Sequence, residues 1–147
     1  QGNGCFLLVT KAGIFGATFF KAPKFFDRIF QGIFMSDQFL HLRQTSDPEI
    51  DRPSHARLIA GDPVFSTWNL EDRDGLYCGL WQSTPGSWRV IYDEWEFCHI
   101  LKGHSILTQD GQAPTTLKAG DSFILRPGFE GVWQVVETTL KEYVIKL

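Results

Sequence analysis

Two stretches in the second half of the chain decide its fold: WRVIYDEWEFCHILKG at residues 88–103 and GDSFILRPGFEGVW at residues 120–133. Both contain short runs of β-branched and aromatic residues, and residues that favour turns bound these runs. Glycine or proline interrupts the runs before they reach the length of an ordinary helix. The two stretches therefore predict β-strands that are connected by tight turns.

The same pattern extends outward from these stretches over most of the second half of the chain. The predicted strands are Val64–Leu70, Leu76–Gln82, Trp88–Tyr92, Glu96–Leu101, His104–Gln109, Thr115–Lys118, Ser122–Leu125, Gly131–Glu137 and Lys141–Lys146. The predicted turns are Asp74-Gly75, Thr84-Pro85-Gly86, Lys102-Gly103, Asp110-Gly111, Ala119-Gly120-Asp121 and Arg126-Pro127-Gly128. Because no segment of helical length separates the strands, the sequence predicts an all-β antiparallel sandwich or barrel.

Length and composition agree with one folded domain. The chain has 147 residues, of which 43% are hydrophobic and 21% charged, and this balance excludes a disordered polymer. The formal net charge is −3, so we expect no binding of nucleic acid, whose phosphates attract basic surfaces.

The first 34 residues differ in composition from the rest. They hold eight of the thirteen phenylalanines and a net charge of +3, which leaves −6 for the remainder. We divide the chain into a basic, Phe-rich segment at 1–34, a polar lead-in with short strands at 35–59 and a barrel at 60–147. Apolar residues recur at helical spacing after Pro23, which predicts a short amphipathic helix there. Four interpretations of residues 1–34 remain open: an upstream extension before Met35, an arm packed on the domain or a partner, a membrane or organelle address, and a plain loop.

The spacing of cysteines and the hydropathy of the chain indicate its cellular compartment and whether it spans a membrane. Cys5, Cys78 and Cys98 form no close pair, which argues against a disulfide framework and against a CxxC zinc site. We therefore expect a reducing, cytoplasmic environment. No stretch approaches the roughly 20 apolar residues of a spanning helix, so no membrane span is predicted.

The two stretches at residues 88–103 and 120–133 resemble the two motifs of the cupin superfamily. Six residues separate Glu96 from Gly103 as in the first motif, and Gly120 with the turn at Pro127-Gly128 fits the second. The resemblance implies a jelly-roll barrel, a double-stranded β-helix of the RmlC-like cupin type. A closer resemblance is to small single-domain cupins related to the cupin domain of (S)-ureidoglycine aminohydrolase. It rests on a shared set of residues: Tyr92, Asp93, Glu96, Cys98, Ile100, Leu101, Gly103, Pro127, Phe129, Trp133, Lys141 and Tyr143.

Metal-binding cupins hold their ion with three histidines and one glutamate. By the resemblance, the four ligand positions here are Val90, Tyr92, Glu96 and Gly131. Only Glu96 is a good ligand, so we expect no metal and no other cofactor. Gly131 at a lost histidine position is expected to leave room for a ligand or water.

Strand alternation predicts which side chains line the interior of the barrel. Glu96, Tyr92 and Lys141 are the candidate catalytic residues, because a buried carboxylate beside a lysine suits proton transfer. The same pair is equally compatible with a purely structural role, since a buried carboxylate requires a partner. The candidate ligand-binding residues of this metal-free pocket are Trp81, Trp88, Cys98, Trp133 and Tyr143.

Three functions remain open from the sequence. The first is a metal-free enzyme that isomerises or hydrolyses a small polar metabolite. The second is a domain that binds or senses a small molecule without changing it. The third is a structural subunit.

Small cupins commonly pair through sheet edges, so the resemblance implies a homodimer.

Overall fold

The computed structural model describes residues 38–44 and 47–147, and these residues form nine strands and no helix. The predicted segment 1–34, with its helix, lies outside the described residues. The strands are β1 (Glu49–Asp51), β2 (Leu58–Gly61), β3 (Phe65–Arg73), β4 (Leu76–Ser83), β5 (Gly86–Tyr92), β6 (Trp95–Gln109), β7 (Thr115–Lys118), β8 (Ser122–Leu125) and β9 (Phe129–Lys146). The predicted all-β fold is confirmed.

The long strands β6 and β9 form the spine of the sheet. They pair antiparallel along almost their whole length, from Trp95 opposite Lys146 to Gln109 opposite Gly131. The second half of β9 also pairs with β4, which continues to β3 and β1, whereas the first half of β9 pairs with β5, which continues to β2. On the other side of the spine, β6 pairs with β8 and β7. The curled sheet therefore has two halves that meet along the spine: one contains β4, β3 and β1, and the other contains β5 and β2.

The spine bends where the sequence predicted a turn. Lys102-Gly103 does not end a strand; β6 continues through it with irregular pairing between Ile100 and Ser105. Gly103 has a φ of +91°, and a Cβ atom there would lie 2.2 Å from the carbonyl oxygen of Thr138 in β9. Glycine thus permits both the bend and the close approach of the two strands. The break predicted between Glu137 and Lys141 is likewise absent, because β9 is one strand.

An aromatic cluster fills the space between the two halves of the sheet. Phe65 and Trp81 come from β3 and β4, and Trp88 and Trp133 come from β5 and β9. The ring centre of Phe65 lies 4.8 Å from that of Trp88, and the ring centre of Trp81 lies 5.8 Å from that of Trp133. All four side chains are buried. These four rings therefore form an aromatic part of the core.

No helical segment among residues 38–44 and 47–147 has the length and apolarity needed to cross a bilayer.

Candidate functional site

The alternation of β6 and β9 carries polar groups into the interior. Glu96 and Cys98 face inward from β6 and are 0% exposed. Lys141 and Tyr143 face inward from β9, and Cys98 lies directly opposite Tyr143 in the pairing of the two strands. The placement predicted for these four side chains is confirmed. Their predicted catalytic and binding roles remain predictions.

Lys141 lies at the centre of this buried cluster. Its Nζ donates a hydrogen bond to Oε1 of Glu96 at 3.3 Å and to Sγ of Cys98 at 3.2 Å. The same atom lies 4.5 Å from the ring centre of Trp133 and 5.1 Å from that of Trp81. The ammonium is therefore held by a carboxylate, a sulfur atom and two aromatic faces.

The electrostatics of the cluster keep Lys141 protonated. Burial by itself lowers the pKa of Lys141, but the attraction of Cys98 and Glu96 outweighs burial and raises the pKa above its ordinary value. The same surroundings favour the charged form of Lys141 but the neutral form of Tyr92. Burial, and then the nearby charge of Glu96 and a hydrogen bond with it, raise the pKa of Tyr92 well above its ordinary value, so the phenol stays neutral. The cluster thus contains a charged ammonium beside a neutral phenol.

Tyr143 extends the cluster towards β3. Its hydroxyl donates a hydrogen bond to Oδ1 of Asn69 at 3.0 Å, and burial raises the pKa of Tyr143. Gly79 permits a close approach here, because a Cβ atom at Gly79 would lie 1.9 Å from the carbonyl oxygen of Trp68 in β3 and 2.9 Å from the Tyr143 hydroxyl. Asn69 was not among the predicted site residues. Gly79 lies inside a predicted strand, and a glycine in that position is a sign that another part of the chain approaches closely.

The four positions that correspond to metal ligands do not fit a metal. Val90 has no donor atom, Tyr92 keeps its proton, and Glu96 is engaged with Lys141. Gly131 does not leave the room that was expected, because a Cβ atom there would lie 2.2 Å from the carbonyl oxygen of Thr108. The glycine allows the β6 backbone to approach, and a histidine has no space at this position. In the described part of the chain, no three His, Cys, Asp or Glu side chains are grouped to hold an ion.

A cavity of about 430 Å³ opens at one end of the barrel. It lies between the ends of β6 and β7, strand β8, and the turn that leads into β9. Its lining residues are Leu107, Gln109, Gln112, Ala113, Thr115, Leu117, Phe123, Ile124, Leu125, Arg126, Pro127, Gly128 and Phe129. None of the eight predicted site residues lines it. The sequence interpretation treated the Arg126-Pro127-Gly128 turn as structural and so missed this cavity.

Aromatic side chains, called the aromatic layer below, lie between the cavity and the buried cluster. Phe123 lines the cavity, and its ring centre lies 6.0 Å from that of Trp133, which contacts Lys141. On another side, the ring centre of cavity-lining Phe129 lies 6.0 Å from that of Tyr92. The predicted site and the observed cavity are therefore adjacent, but the predicted site residues do not line the cavity.

Solved structures with similar folds come from several bacteria. A DUF861-family protein of unknown function from Pseudomonas syringae is 21% identical with a TM-score of 0.62, over 71% of this chain and 46% of that one. The Clostridium difficile EutQ protein is 15% identical with a TM-score of 0.54, over 70% of this chain and 97% of that one. A putative ethanolamine utilization protein from Salmonella typhimurium is 16% identical with a TM-score of 0.50, over 58% and 70%.

At these identities the likeness shows the fold. The chain spans less than half the length of the Pseudomonas protein, and no curated protein matches it. The closer resemblance to the (S)-ureidoglycine aminohydrolase cupin domain stays a prediction. The sequence profile of the EutQ-like cupin domain matches residues 70–143, which cover β6, most of β9, the buried cluster and the cavity lining. The chain belongs to this EutQ-like family of the cupin superfamily.

Proposed function

We propose that this chain binds a small molecule in the cavity at the end of the barrel. The observation that carries the proposal is the cavity itself. Its volume of about 430 Å³ lies within the range of roughly 300–1,000 Å³ that ligand pockets occupy. Buried Leu107, Leu117 and Leu125 form an apolar floor, and Phe123 and Phe129 add aromatic walls. A ligand of metabolite size with a planar or apolar body fits this lining.

The rim of the cavity supports a more specific ligand class. Among the described lining residues, Arg126 is the one basic residue, and its guanidinium can hold a carboxylate with two parallel hydrogen bonds. Gln109 and Gln112 add amide groups that both donate and accept hydrogen bonds. We therefore expect a small carboxylate that also carries an amide or other polar nitrogen group.

A thermal-shift screen of small carboxylates tests the proposal. We expect at least one compound to raise the melting temperature of the full chain, and Arg126→Gln to weaken its affinity by tenfold or more. Ala113→Trp should block binding by filling the cavity without altering charge. Lys102→Gln, an exposed change outside the lining, is the matched control and should bind as the parent does. A ligand whose affinity is the same in all four proteins contradicts this site.

A second candidate is a metal-free enzyme that uses the buried cluster. Lys141, Glu96 and Tyr92 lie one aromatic layer from the cavity, and the indole Nε1 atoms of Trp81 and Trp133 are buried without an acceptor among the described residues. A substrate that displaced the aromatic layer would meet these donors. Lys141 and Tyr92 would then donate protons, and Glu96 would accept one, in an isomerisation or a hydrolysis of a nitrogen-containing metabolite.

The two candidates are separated by the fate of the ligand. A compound recovered chemically unchanged after long incubation supports a binding domain. Conversion detected by mass spectrometry supports the enzyme if Glu96→Gln abolishes turnover while a melting-temperature shift with the same compound remains. Turnover that persists in Glu96→Gln argues against the proposed role of this carboxylate.

We also propose that the chain acts as a cytoplasmic homodimer. The sequence contains three cysteines and no close pair of them, which agrees with a reducing environment. Strands β1 and β2 end the main path of the sheet, and Ile50 and Ile59 on them are 60% and 54% exposed. Exposed apolar edge strands favour pairing with a second copy. Sedimentation of the full chain tests this, and Ile50→Lys with Ile59→Lys should shift a dimer to the monomer.

A further inference from the structure

The barrel interior contains its own cation. Lys141 is the only buried lysine or arginine in the described part of the chain. Its side chain is 3% exposed and that of Glu96 is 1% exposed. A carboxylate so fully withdrawn from water is stable in its charged form only beside a positive charge. The chain supplies that charge from the neighbouring strand.

The surroundings of the ammonium are those of a bound ion. Glu96 and Cys98 contact Nζ from β6, and the rings of Trp81 and Trp133 face it from β4 and β9. These groups come from three strands and converge on one atom. A side chain that served only to neutralise Glu96 would not need the sulfur and the two aromatic faces.

We propose that the Lys141 ammonium is a tethered cation that takes the place of a metal ion in the barrel, so that the folded protein is independent of metal. The donor-poor positions Val90 and Gly131 fit this arrangement, because an ammonium needs no ring of imidazole ligands. The closed position of Gly131 against Thr108 fits it too, since no ligand side chain is required there. The inference does not depend on which molecule occupies the neighbouring cavity.

Chemical rescue tests the proposal. Lys141→Ala removes three methylene groups and the ammonium, which together have the size and charge of propylammonium. Because breaking a buried ion pair is strongly destabilising, we expect Lys141→Ala to lower the melting temperature by roughly 10 °C or more. Propylammonium chloride should restore part of that loss, whereas propan-1-ol and sodium chloride at the same concentration should not. Equal rescue by propan-1-ol would show that only volume had been lost and would overturn the proposal.

A second comparison applies if Lys141→Ala does not fold. Lys141→Met leaves Glu96 without its cation, and Lys141→Met with Glu96→Gln removes both charges while keeping the volume. We expect the double variant to melt at a higher temperature than Lys141→Met. If the double variant is no more stable than the single one, or fails to fold, the proposal is wrong.

Metal titration of the parent protein completes the test. Chelator treatment, and then addition of Mn²⁺, Ni²⁺ or Zn²⁺, should leave the melting temperature of the parent unchanged, and elemental analysis should find no stoichiometric metal. An ion bound at one per chain that stabilises the parent and is lost in Glu96→Gln overturns the proposal.

Discussion

The ring of Phe123 lies against the ring of Trp133, with the two ring centres 6.0 Å apart. Phe123 faces the open cavity, while Trp133 is 1% exposed and contacts the ammonium of Lys141. This contact joins the part of the molecule that a ligand can reach to the part that carries the polar groups. We therefore expect a ligand in the cavity to reach the buried polar cluster only where the aromatic layer opens.

Removing the phenylalanine should open that layer. We expect Phe123→Ala to expose Trp133, so that acrylamide quenches tryptophan fluorescence more strongly than in the parent. Loss of this half-buried ring should also lower the free energy of unfolding by about 2–3 kcal/mol, somewhat less than for a fully buried ring. Ile91→Ala, on the outer face of β5, is the control and should leave quenching unchanged. Unchanged quenching in Phe123→Ala would show that other side chains close the route.

Gly131 should tolerate no side chain. Gly131→Ala places a Cβ atom 2.2 Å from the Thr108 carbonyl oxygen, so the β6 and β9 backbones must separate. We expect this crowding to cost more than about 2 kcal/mol in the free energy of unfolding, although Gly131 does not have a positive φ.

Gly120 provides the matched comparison for this substitution. A Cβ atom at Gly120 meets nothing within 4 Å, and only its φ of +94° opposes a side chain. Gly120→Ala should therefore cost about 1–2 kcal/mol. Denaturant unfolding of both variants measures the difference, and equal losses would mean that strand crowding at Gly131 is relieved at little cost.

Stability should fall in alkaline solution, and Tyr92 should contribute to the slope. Burial raises the pKa of Tyr92, so above about pH 10 the unfolded chain loses a phenol proton that the folded chain retains. The folded state then binds more protons, and the free energy of unfolding decreases as pH rises. Raised pKa values of Tyr143 and Lys141 act in the same direction.

Urea unfolding of the parent and Tyr92→Phe between pH 8 and 11 measures this effect. At pH 8 the variant should be less stable by about 1–3 kcal/mol, because it loses a hydrogen bond with Glu96. Above pH 10 its stability should decline less steeply than that of the parent. Parallel declines in the two proteins would show that the phenol of Tyr92 titrates alike in the folded and unfolded states.

The buried cluster was predictable because it depends on local periodicity. Side chains two residues apart on a strand share a face, so placing Glu96 inside also placed Cys98 inside. The same alternation grouped Lys141 with Tyr143. A buried carboxylate needs a positive partner, and this requirement makes Lys141 a candidate partner of Glu96.

The bend of the spine was not predictable in the same way. Gly103 has the backbone conformation of a turn residue, and the sequence pattern around it is that of a turn. What keeps β6 continuous is its pairing with β9; at the bend, Lys102 pairs with Leu140 and His104 with Glu137, more than thirty positions away along the chain. Local signals cannot distinguish a bend within a paired strand from the end of that strand.

The residues alone predicted the all-β fold, the shared faces of Glu96 with Cys98 and of Lys141 with Tyr143, and Lys141 as a candidate partner of Glu96. These features follow from a period of two and from the cost of burying charge. The residues alone did not show that the cluster is enclosed, that Gly131 has no free space, or that the open cavity lies beyond Phe123 and Phe129. Those features depend on how a curled sheet brings distant strands together, and no local pattern encodes that curvature.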